Sequence, residues 1–182
     1  WDIVGSSRDM RKAYRQCPLL AAHIFLCITA VVNPHTMNVE FYEMLGQPFG
    51  ASHAVLNFCR MSEWLCRVAA RFLHIVLDHY FDDFTILEPR LSAPSAFWAL
   101  GRLFTIFGFT FDAKKDVLPT ESLTSLGVVF ALAGLRASLV ILVIAKPSRV
   151  TKILAELWRI RSQGVLRSGE ASRLVGKLGF LA

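Results

Sequence analysis

The sequence has 182 residues, a formal net charge of +6 and a hydrophobic fraction of 54%. This length fits one domain, or one domain with a small appendage, and it can bury a sizeable core. No uninterrupted apolar run reaches the ~18 residues of a membrane span, and the amino terminus lacks a signal-peptide layout. We therefore expect an intracellular protein, in the cytoplasm or nucleus, that is neither secreted nor partnered with a membrane. The four cysteines lack zinc-site spacing and are expected to be reduced core residues.

The first part of the chain predicts a strand, a helical turn and a hairpin. Residues 3–9 are extended in character, and residues 10–17 have the composition of one or two helical turns. Two β-rich runs follow, residues 23–32 and 38–44, and the Asn-Pro-His-Thr segment between them favours a turn. We therefore predict a β-hairpin after the helical turn.

A long helix and an acidic turn come next. Apolar residues recur every three or four positions over residues 54–72, which predicts an amphipathic helix of about five turns. Beyond it, Asp82 and Asp83 lie between aromatic residues and β-prone segments, which predicts two short strands with the acidic pair at their turn. Neighbouring carboxylates repel each other, and Mg²⁺ or Mn²⁺ relieves that repulsion because hard oxygen ligands suit these ions. An isolated Asp-Asp is more often a solvated turn, so its partners decide the interpretation.

The next segments predict further helix and strand. Residues 96–107 carry an apolar stripe at helical spacing, and residues 109–111 alternate as a short strand. Residues 126–132 and 135–144 are rich in β-branched and apolar residues, and we predict a second hairpin that turns at residues 133–134.

The last fifth of the chain differs in composition. Residues 147–160 and the segment from Ser168 onward predict helices. Residues 146–182 carry eight basic and two acidic side chains, whereas residues 1–145 carry twelve of each. This asymmetry indicates a surface that faces a polyanion, although a solvated helical face explains the charge equally well. We therefore place the one plausible boundary near residue 146.

Five short motifs occur in a fixed order along these elements. They are Asp-Met-Arg-Lys-Ala-Tyr-Arg-Gln from Asp9, Gln-Pro-Phe-Gly from Gln47, Tyr-Phe-Asp-Asp from Tyr80, Gly-Phe from Gly108 with Lys115, and Leu-Gly-Val-Val from Leu126. Together they resemble motifs A to E of a reverse transcriptase, the RNA-directed DNA polymerase of retroelements. The resemblance covers essentially the whole chain, and the basic C-terminal residues take the thumb position.

The resemblance implies an α+β fold. A polymerase palm, an antiparallel sheet with helices packed on one face, would span residues 1–145, and a basic helical thumb segment residues 146–182. It also implies template-directed transfer of a nucleotide from a dNTP to a primer 3′-OH, with two Mg²⁺ or Mn²⁺ ions. The expected partners are an RNA or DNA template-primer, the dNTP, and the fingers segment of the same polyprotein, with an RNase H segment left open. The alternative is a catalytically inactive palm fragment of a decayed retroelement that only binds nucleic acid.

Residue roles follow from the same resemblance. The implied catalytic residues are Asp9, Asp82, Asp83 and Lys115, and Met10 joins the three aspartates as a metal contact. Tyr14 falls at the position that excludes a ribose 2′-OH, although by default it would be a core aromatic. The implied nucleotide-binding residues are Tyr14, Pro48, Phe49, Gly50 and Tyr80. The implied primer- and template-binding residues are Leu126, Gly127, Lys152, Arg159 and Arg161.

Overall fold

The computed structural model describes residues 2–179, which form two compact units: Val4–Thr120, and residues 121–179 together with residues 2–3. The strands are β1 (Ile3–Asp9), β2 (Ile28–Val32), β3 (Val39–Glu43), β4 (Leu77–Tyr80), β5 (Asp83–Pro89), β6 (Val117–Thr120), β7 (Ser122–Ser125), β8 (Val128–Ala131) and β9 (Leu142–Ala145). The α-helices are α1 (Ser52–Val68), α2 (Ala93–Ile106), α3 (Leu135–Ser138), α4 (Pro147–Gln163) and α5 (Ser168–Gly179). The mixed architecture of helices and antiparallel strand pairs confirms the predicted α+β class.

The larger unit is built on a four-stranded sheet in the order β4-β5-β1-β6. In β5 every second side chain is buried, which is the alternation of a strand that covers a core with one face. Phe84 from this strand meets Phe104 from α2 at a ring-centroid distance of 4.9 Å, and both are fully buried with Phe58 from α1. Each such phenylalanine contributes about 1.5–3 kcal/mol by leaving water. The two long helices are therefore held on the sheet by an aromatic core.

The amphipathic pattern of residues 54–72 is confirmed as α1, which continues into a wider π-helical turn at Ala69–Leu73. The helix predicted over residues 96–107 is α2, and those predicted near the carboxyl end are α4 and α5. Across residues 2–179, none of the helices combines the length and the apolar character that a bilayer crossing requires.

The predicted strand over residues 23–32 is only half right. Ala21–Leu26 forms a 3-10 helix, and the strand begins at Ile28. The partner strand explains the difference, because the ladder with β3 ends at the Ile28–Glu43 pair. Residues 20–26 have no strand beside them in that ladder, and they satisfy backbone groups through local bonds such as His23 N–H to Leu20 O at 2.8 Å.

The strand predicted over residues 109–111 is wrong. This segment makes a single β-bridge, between Phe111 and Met10, because β1 ends at Asp9 and the chain then turns into a 3-10 helix. The fourth strand of the sheet is instead Val117–Thr120, which sequence reasoning overlooked. It contains Pro119, and a proline is tolerated there because β6 is the edge strand of the sheet.

The smaller unit contains a three-stranded antiparallel sheet in the order β7-β8-β9, followed by α4 and α5. The turn predicted at residues 133–134 is wrong: the tight turn lies at Leu126 and Gly127, both with positive φ (51° and 83°), as a two-residue hairpin turn requires. The register between β8 and β9 leaves residues 132–141 as a longer connection, in which α3 satisfies backbone groups.

Ion pairs join α4 and α5. Arg159 and Glu170 meet at 2.7 Å, and Lys177 pairs with Glu156. The predicted palm and thumb limits, residues 1–145 and 146–182, stay predictions, and residue 1 and residues 180–182 lie outside the described part of the chain.

Candidate active site

Three carboxylates lie at one end of the main sheet. Asp9 is the last residue of β1, and Asp83 is the first residue of the neighbouring strand β5. Tyr80 pairs with Asp83, so Phe81 and Asp82 form a two-residue turn. The main-chain amide of Met10 donates to the carbonyl of Asp82 at 2.9 Å, which ties the turn to the end of β1. The predicted acidic turn therefore exists, with Asp9 beside it.

The turn has a strained backbone. Phe81 has a φ of +54°, a region that residues other than glycine occupy rarely and at a cost of about 1–3 kcal/mol. Its ring packs edge-on against Tyr80 at 4.9 Å and rests on the hydrophobic core. The packing of Phe81 thus offsets part of the strain and fixes the direction in which Asp82 leaves the turn.

The carboxylates disfavour one another's charge. The pKa of Asp83 rises from 3.8 to about 6, chiefly because the group is partly buried, and then because it hydrogen-bonds to the Asp9 side chain and lies near the charges of Asp9 and Asp82. Burial, and next the charge of Asp9, also raise the pKa of Asp82. Such a cluster favours a cation close by.

The cation that the structure provides is Lys115. Its Nζ lies 2.8 Å from Asp9 Oδ1 and 2.9 Å from Oδ2. The backbone places it there, because the Asp112 amide donates to the Asp9 carbonyl and the Lys115 amide donates to the Asp112 carbonyl, both at 2.8 Å. The hydrogen bond to Asp9 raises the pKa of Lys115. The neighbouring Lys114, the other lysine of this segment, uses its amide to bond the Asp112 side chain at 3.1 Å.

A glutamine that sequence reasoning missed fixes the same segment. Gln16 Nε2 donates to the Thr110 carbonyl at 2.9 Å, and the Thr110 amide donates back to Gln16 Oε1 at 2.7 Å. The side chain thus holds residues 109–111 beside the end of β1. The two residues lie within the first and fourth motifs, but they are 94 positions apart and no sequence signal pairs them.

Tyr14 connects the core to the site. Its ring lies 4.8 Å from Phe58, which is fully buried, and 4.9 Å from Phe49, which is 65% exposed. Burial is the main cause that raises the pKa of Tyr14, and the charges of Cys59 and Asp82 add to it. Tyr14 therefore packs on the core and lies within electrostatic range of the acidic turn, and its predicted role beside the ribose stays a prediction.

The other predicted nucleotide contacts have mixed surroundings. Pro48 is half-buried, while Phe49, Gly50 and Tyr80 are exposed. Gly50 has a φ of +91°, and a side chain there would be strained although space is open. The Met10 side chain is buried in the core at 1% exposure, so only its main chain reaches the acidic turn.

The predicted primer and template contacts belong to the smaller unit. Leu126 and Gly127 form the tight turn between β7 and β8. On α4, Lys152 is exposed, Arg159 is engaged by Glu170, and the Arg161 guanidinium lies 5.2 Å from the centre of the Trp158 ring. Their predicted role stays a prediction.

The side chains around the acidic turn decide whether a metal ion fits there. Within residues 2–179, no three His, Cys, Asp or Glu side chains are arranged as a ready ligand set for a metal. The residue types fit nevertheless, because three half-buried carboxylates lie together and only Asp9 among them is bonded to the Lys115 ammonium group in the described contacts, while burial and the neighbouring carboxylates raise the pKa of Asp82 and Asp83. Hard oxygen donors with excess negative charge match Mg²⁺ and Mn²⁺.

Comparisons with known proteins find a likeness in structure alone. No family model matches the sequence, and no curated protein matches it. The structure is similar to two solved structures of foamy viral protease-reverse transcriptase, both in complex with double-stranded DNA and both 15% identical to this chain. The TM-scores are 0.72 and 0.70, and the alignments cover 97% of this chain but 27% and 32% of those chains. The chain therefore has a reverse-transcriptase-like fold and spans about a third or less of those proteins.

Proposed function

We propose that this chain is the palm, with the adjoining thumb segment, of a reverse transcriptase that transfers a nucleotide from a dNTP to a primer 3′-OH on an RNA template. The observation that carries the proposal is the meeting of Asp9, Asp82 and Asp83 at adjacent strand ends, with Lys115 against Asp9. The reverse-transcriptase-like fold supports it, because the same elements occur in proteins with that activity in their names.

The proposed metal ligands are the three carboxylates. Asp9 and Asp82 would hold two Mg²⁺ or Mn²⁺ ions, with Asp83 as a supporting ligand and the Met10 main chain beside them. The ions, when bound, supply the positive charge that stabilises the attacking and leaving oxygens of phosphoryl transfer. The protein's own contribution is placement, because the hydrogen bond between Met10 and Asp82 fixes the turn relative to β1.

Lys115 is the proposed proton donor, and its positive charge is proposed to neutralise the leaving group. The hydrogen bond to Asp9 raises its pKa, so the amine carries its proton at neutral pH. A protonated amine beside the triphosphate neutralises the charge that develops on the leaving pyrophosphate and can donate a proton to it. Its side chain is 57% exposed, and therefore accessible to a nucleotide that enters from solvent.

Tyr14 and the loop at residues 48–50 are proposed to receive the nucleotide. The tyrosine ring packs against Phe58 and Phe49, so it cannot turn away from the proposed nucleotide position without losing its contact with the core. A fixed ring beside the sugar would exclude a 2′-hydroxyl by volume. Tyr80, which is 58% exposed next to the acidic turn, is proposed as a further contact to the nucleotide.

The proposed partner is a template-primer duplex. Residues 146–182 carry all of the net positive charge, and the proposed contacts are Leu126, Gly127, Lys152, Arg159 and Arg161. Phosphate neutralisation releases counterions, so binding would weaken steeply with salt. The DNA complexes of the two similar structures support a nucleic acid as the ligand.

Primer extension on an RNA template tests the proposal, with this chain expressed in its full reading frame. Asp82→Asn is expected to lower nucleotide incorporation by about a thousandfold or more, because it removes a carboxylate that would hold the ions whose positive charge stabilises the transition state. Asp78→Asn is the matched control, since Asp78 lies on β4 but is exposed and accepts a bond from the neighbouring His79 amide. Extension that survives Asp82→Asn unchanged would overturn the assignment.

A second candidate function is nucleic-acid binding without catalysis. The observation in its favour is that Lys115 occupies the Asp9 carboxylate and no ready metal-ligand set is formed within residues 2–179. This candidate predicts salt-sensitive binding of duplex with no incorporation by the wild-type protein, so the same extension assay separates the two.

A further inference from the structure

Both oxygens of the Asp9 carboxylate are bonded by a lysine that approaches from solvent. Both oxygens accept from Lys115 Nζ, at 2.8 and 2.9 Å. The Asp9 side chain is 14% exposed, whereas the Lys115 side chain is 57% exposed. The amine therefore covers the accessible side of a carboxylate that is otherwise enclosed.

A divalent ion would need the same oxygens. Mg²⁺ binds oxygen at 2.0–2.1 Å and demands near-ideal octahedral geometry. An ammonium group centred on both oxygens of Asp9 takes one lone pair on each oxygen, and two cations this close repel each other. The ammonium group and a metal ion therefore compete for that carboxylate.

We propose that Lys115 is a stand-in cation, which holds Asp9 in the metal-free protein and is displaced when a divalent ion binds there. The inference rests on the proposed function and deepens it, because it gives Lys115 two successive positions. In the first the amine stabilises the empty acidic turn. In the second it is released toward the nucleotide phosphates, so metal binding and delivery of the proton donor are one coupled event.

The surroundings of Lys115 permit this movement. The backbone is fixed by the bonds from Asp112 to Asp9 and from Lys115 to Asp112, and Gln16 clamps Thr110 just upstream. The flexible part is the four-carbon side chain, which is mostly in solvent. An exposed ion pair is weak and easily exchanged, so displacement needs no rearrangement of the sheet.

The nearest lysine provides the control. Lys114 carries the same charge one residue away. In the described contacts its main-chain amide bonds the Asp112 carboxylate, and its side chain bonds neither Asp112 nor Asp9. Removal of either lysine lowers the local positive charge. Only removal of Lys115 vacates the Asp9 oxygens, so a comparison of the two variants separates direct competition from general electrostatics.

The experiment measures Mn²⁺ binding to the purified 182-residue chain, with free Mn²⁺ counted by electron paramagnetic resonance. Lys115→Met keeps the length of the stem and is expected to tighten Mn²⁺ binding about two- to fivefold, the value of an exposed ion pair. Lys114→Met is expected to change it less than about twofold. Lys115→Arg is expected to weaken it, because a guanidinium holds a carboxylate by two parallel bonds.

Thermal unfolding adds a readout that is independent of affinity. In EDTA, Lys115→Met is expected to melt below the wild type, and Mg²⁺ is expected to raise its melting temperature by more than it raises that of the wild type. Equal Mn²⁺ affinity in wild type, Lys115→Met and Lys115→Arg would overturn the inference while leaving the proposed function intact. If the proposed function holds, the wild type and Lys115→Met both bind Mn²⁺, and Asp82→Asn abolishes that binding. If neither protein binds Mn²⁺, or if Asp82→Asn leaves the binding unchanged, the proposed function is overturned and the inference with it.

Discussion

Gln16 and Thr110 bind each other through three hydrogen bonds, at 2.7, 2.9 and 3.1 Å, across 94 positions of sequence. The side-chain amide of Gln16 makes the two bonds that a neighbouring strand would make: it donates to the main-chain carbonyl of Thr110 and accepts from the main-chain amide of Thr110. It thereby continues the contact between the end of β1 and residues 109–111 beyond the single bridge at Met10. The segment that carries Lys115 is anchored by this side chain.

Gln16→Ala should therefore loosen this anchor. We expect a loss of about 0.5–1.5 kcal/mol in the free energy of unfolding, because the Thr110 amide loses its partner, whereas the Thr110 carbonyl keeps the bond from the Arg11 amide at 3.0 Å. Urea denaturation measures it. Arg15→Ala is the control, since Arg15 is exposed on the same 3-10 turn and should change stability by less than about 0.5 kcal/mol. Coincident unfolding curves for Gln16→Ala and the wild type would contradict the anchoring role.

Asp83→Asn should stabilise the metal-free protein in a pH-dependent manner. The folded-state pKa of Asp83 is raised from 3.8 to about 6 by burial and by Asp9. An acid whose pKa is raised on folding costs no stability below its unfolded pKa, and the cost grows as the pH rises from about 4 to about 6. Asparagine removes that cost, so the advantage of the variant should be small at about pH 4 and full at about pH 7.

Urea unfolding in EDTA at these two pH values checks it. Asp78→Asn, on the exposed face of β4, should show no such trend. A stability difference between Asp83→Asn and the wild type that stays constant with pH would refute the electrostatic explanation.

Gly101→Ala should destabilise the protein although it lies within α2. The Arg8 guanidinium lies between the rings of Phe97 and Phe111, 4.4 Å from each centroid, and pairs with Asp116 at 2.7 Å. A Cβ at Gly101 would collide with Arg8 Nη1. We expect a loss of about 1–3 kcal/mol, the usual cost of overpacking, as measured by chemical denaturation.

Gly176→Ala is the matched control for that substitution. Gly176 lies in α5 with open space around an added Cβ, so alanine should be neutral or stabilising by up to about 1 kcal/mol. The opposite signs of the two substitutions are the expected outcome. If both were stabilising, Arg8 would not be tightly placed against α2.

Gln47→Leu should raise stability. Within the described residues, Gln47 Oε1 is buried without a hydrogen-bond partner, which costs free energy in the folded state. Leucine has a similar volume and no polar atom, and we expect a gain of about 1 kcal/mol in the free energy of unfolding. Gln47→Glu should destabilise instead, because it buries a charge at the same point. A lower melting temperature for Gln47→Leu would show that Oε1 has a partner in solution.

Tyr14→Ala should admit ribonucleotides, if the proposed function holds. Removing the ring that Phe49 and Phe58 hold in place opens the volume beside the sugar, and we expect discrimination against NTP relative to dNTP to fall by about tenfold or more. Primer extension with each nucleotide type measures the ratio. Tyr14→Phe keeps the ring and should keep the discrimination; a loss in this variant would assign the effect to the hydroxyl group instead.

Local patterns predicted part of this structure well. The helical period of residues 54–72 and 96–107 is set by which side chains face the core, so α1 and α2 could be read directly. The acidic turn was also predicted, because β-prone residues on both sides of Asp82 leave few other places for a reversal of the chain.

Long-range pairing accounts for what the sequence did not reveal. Residues 20–26 have strand composition but no partner in the β2–β3 ladder, and that register is decided by where β3 ends. The edge strand Val117–Thr120 was concealed by Pro119, which is unfavourable only where a strand needs its amide. The contact of Gln16 with Thr110 depends on neither period nor propensity. From the sequence, only the resemblance of the motifs predicted that Asp9 and Lys115 belong to one site.

The β2–β3 hairpin is an excursion of the chain from the main sheet. The chain departs at Pro18 and returns at Gly46, which face each other across a single β-bridge, and no residue from 18 to 53 is buried. The two ends of the excursion are thus already adjacent, so a change in its length costs little loop-closure entropy. This stretch can lengthen, shrink or be exchanged for another insert over evolutionary time without moving Asp9 relative to Asp82. It is the natural place to graft a reporter peptide.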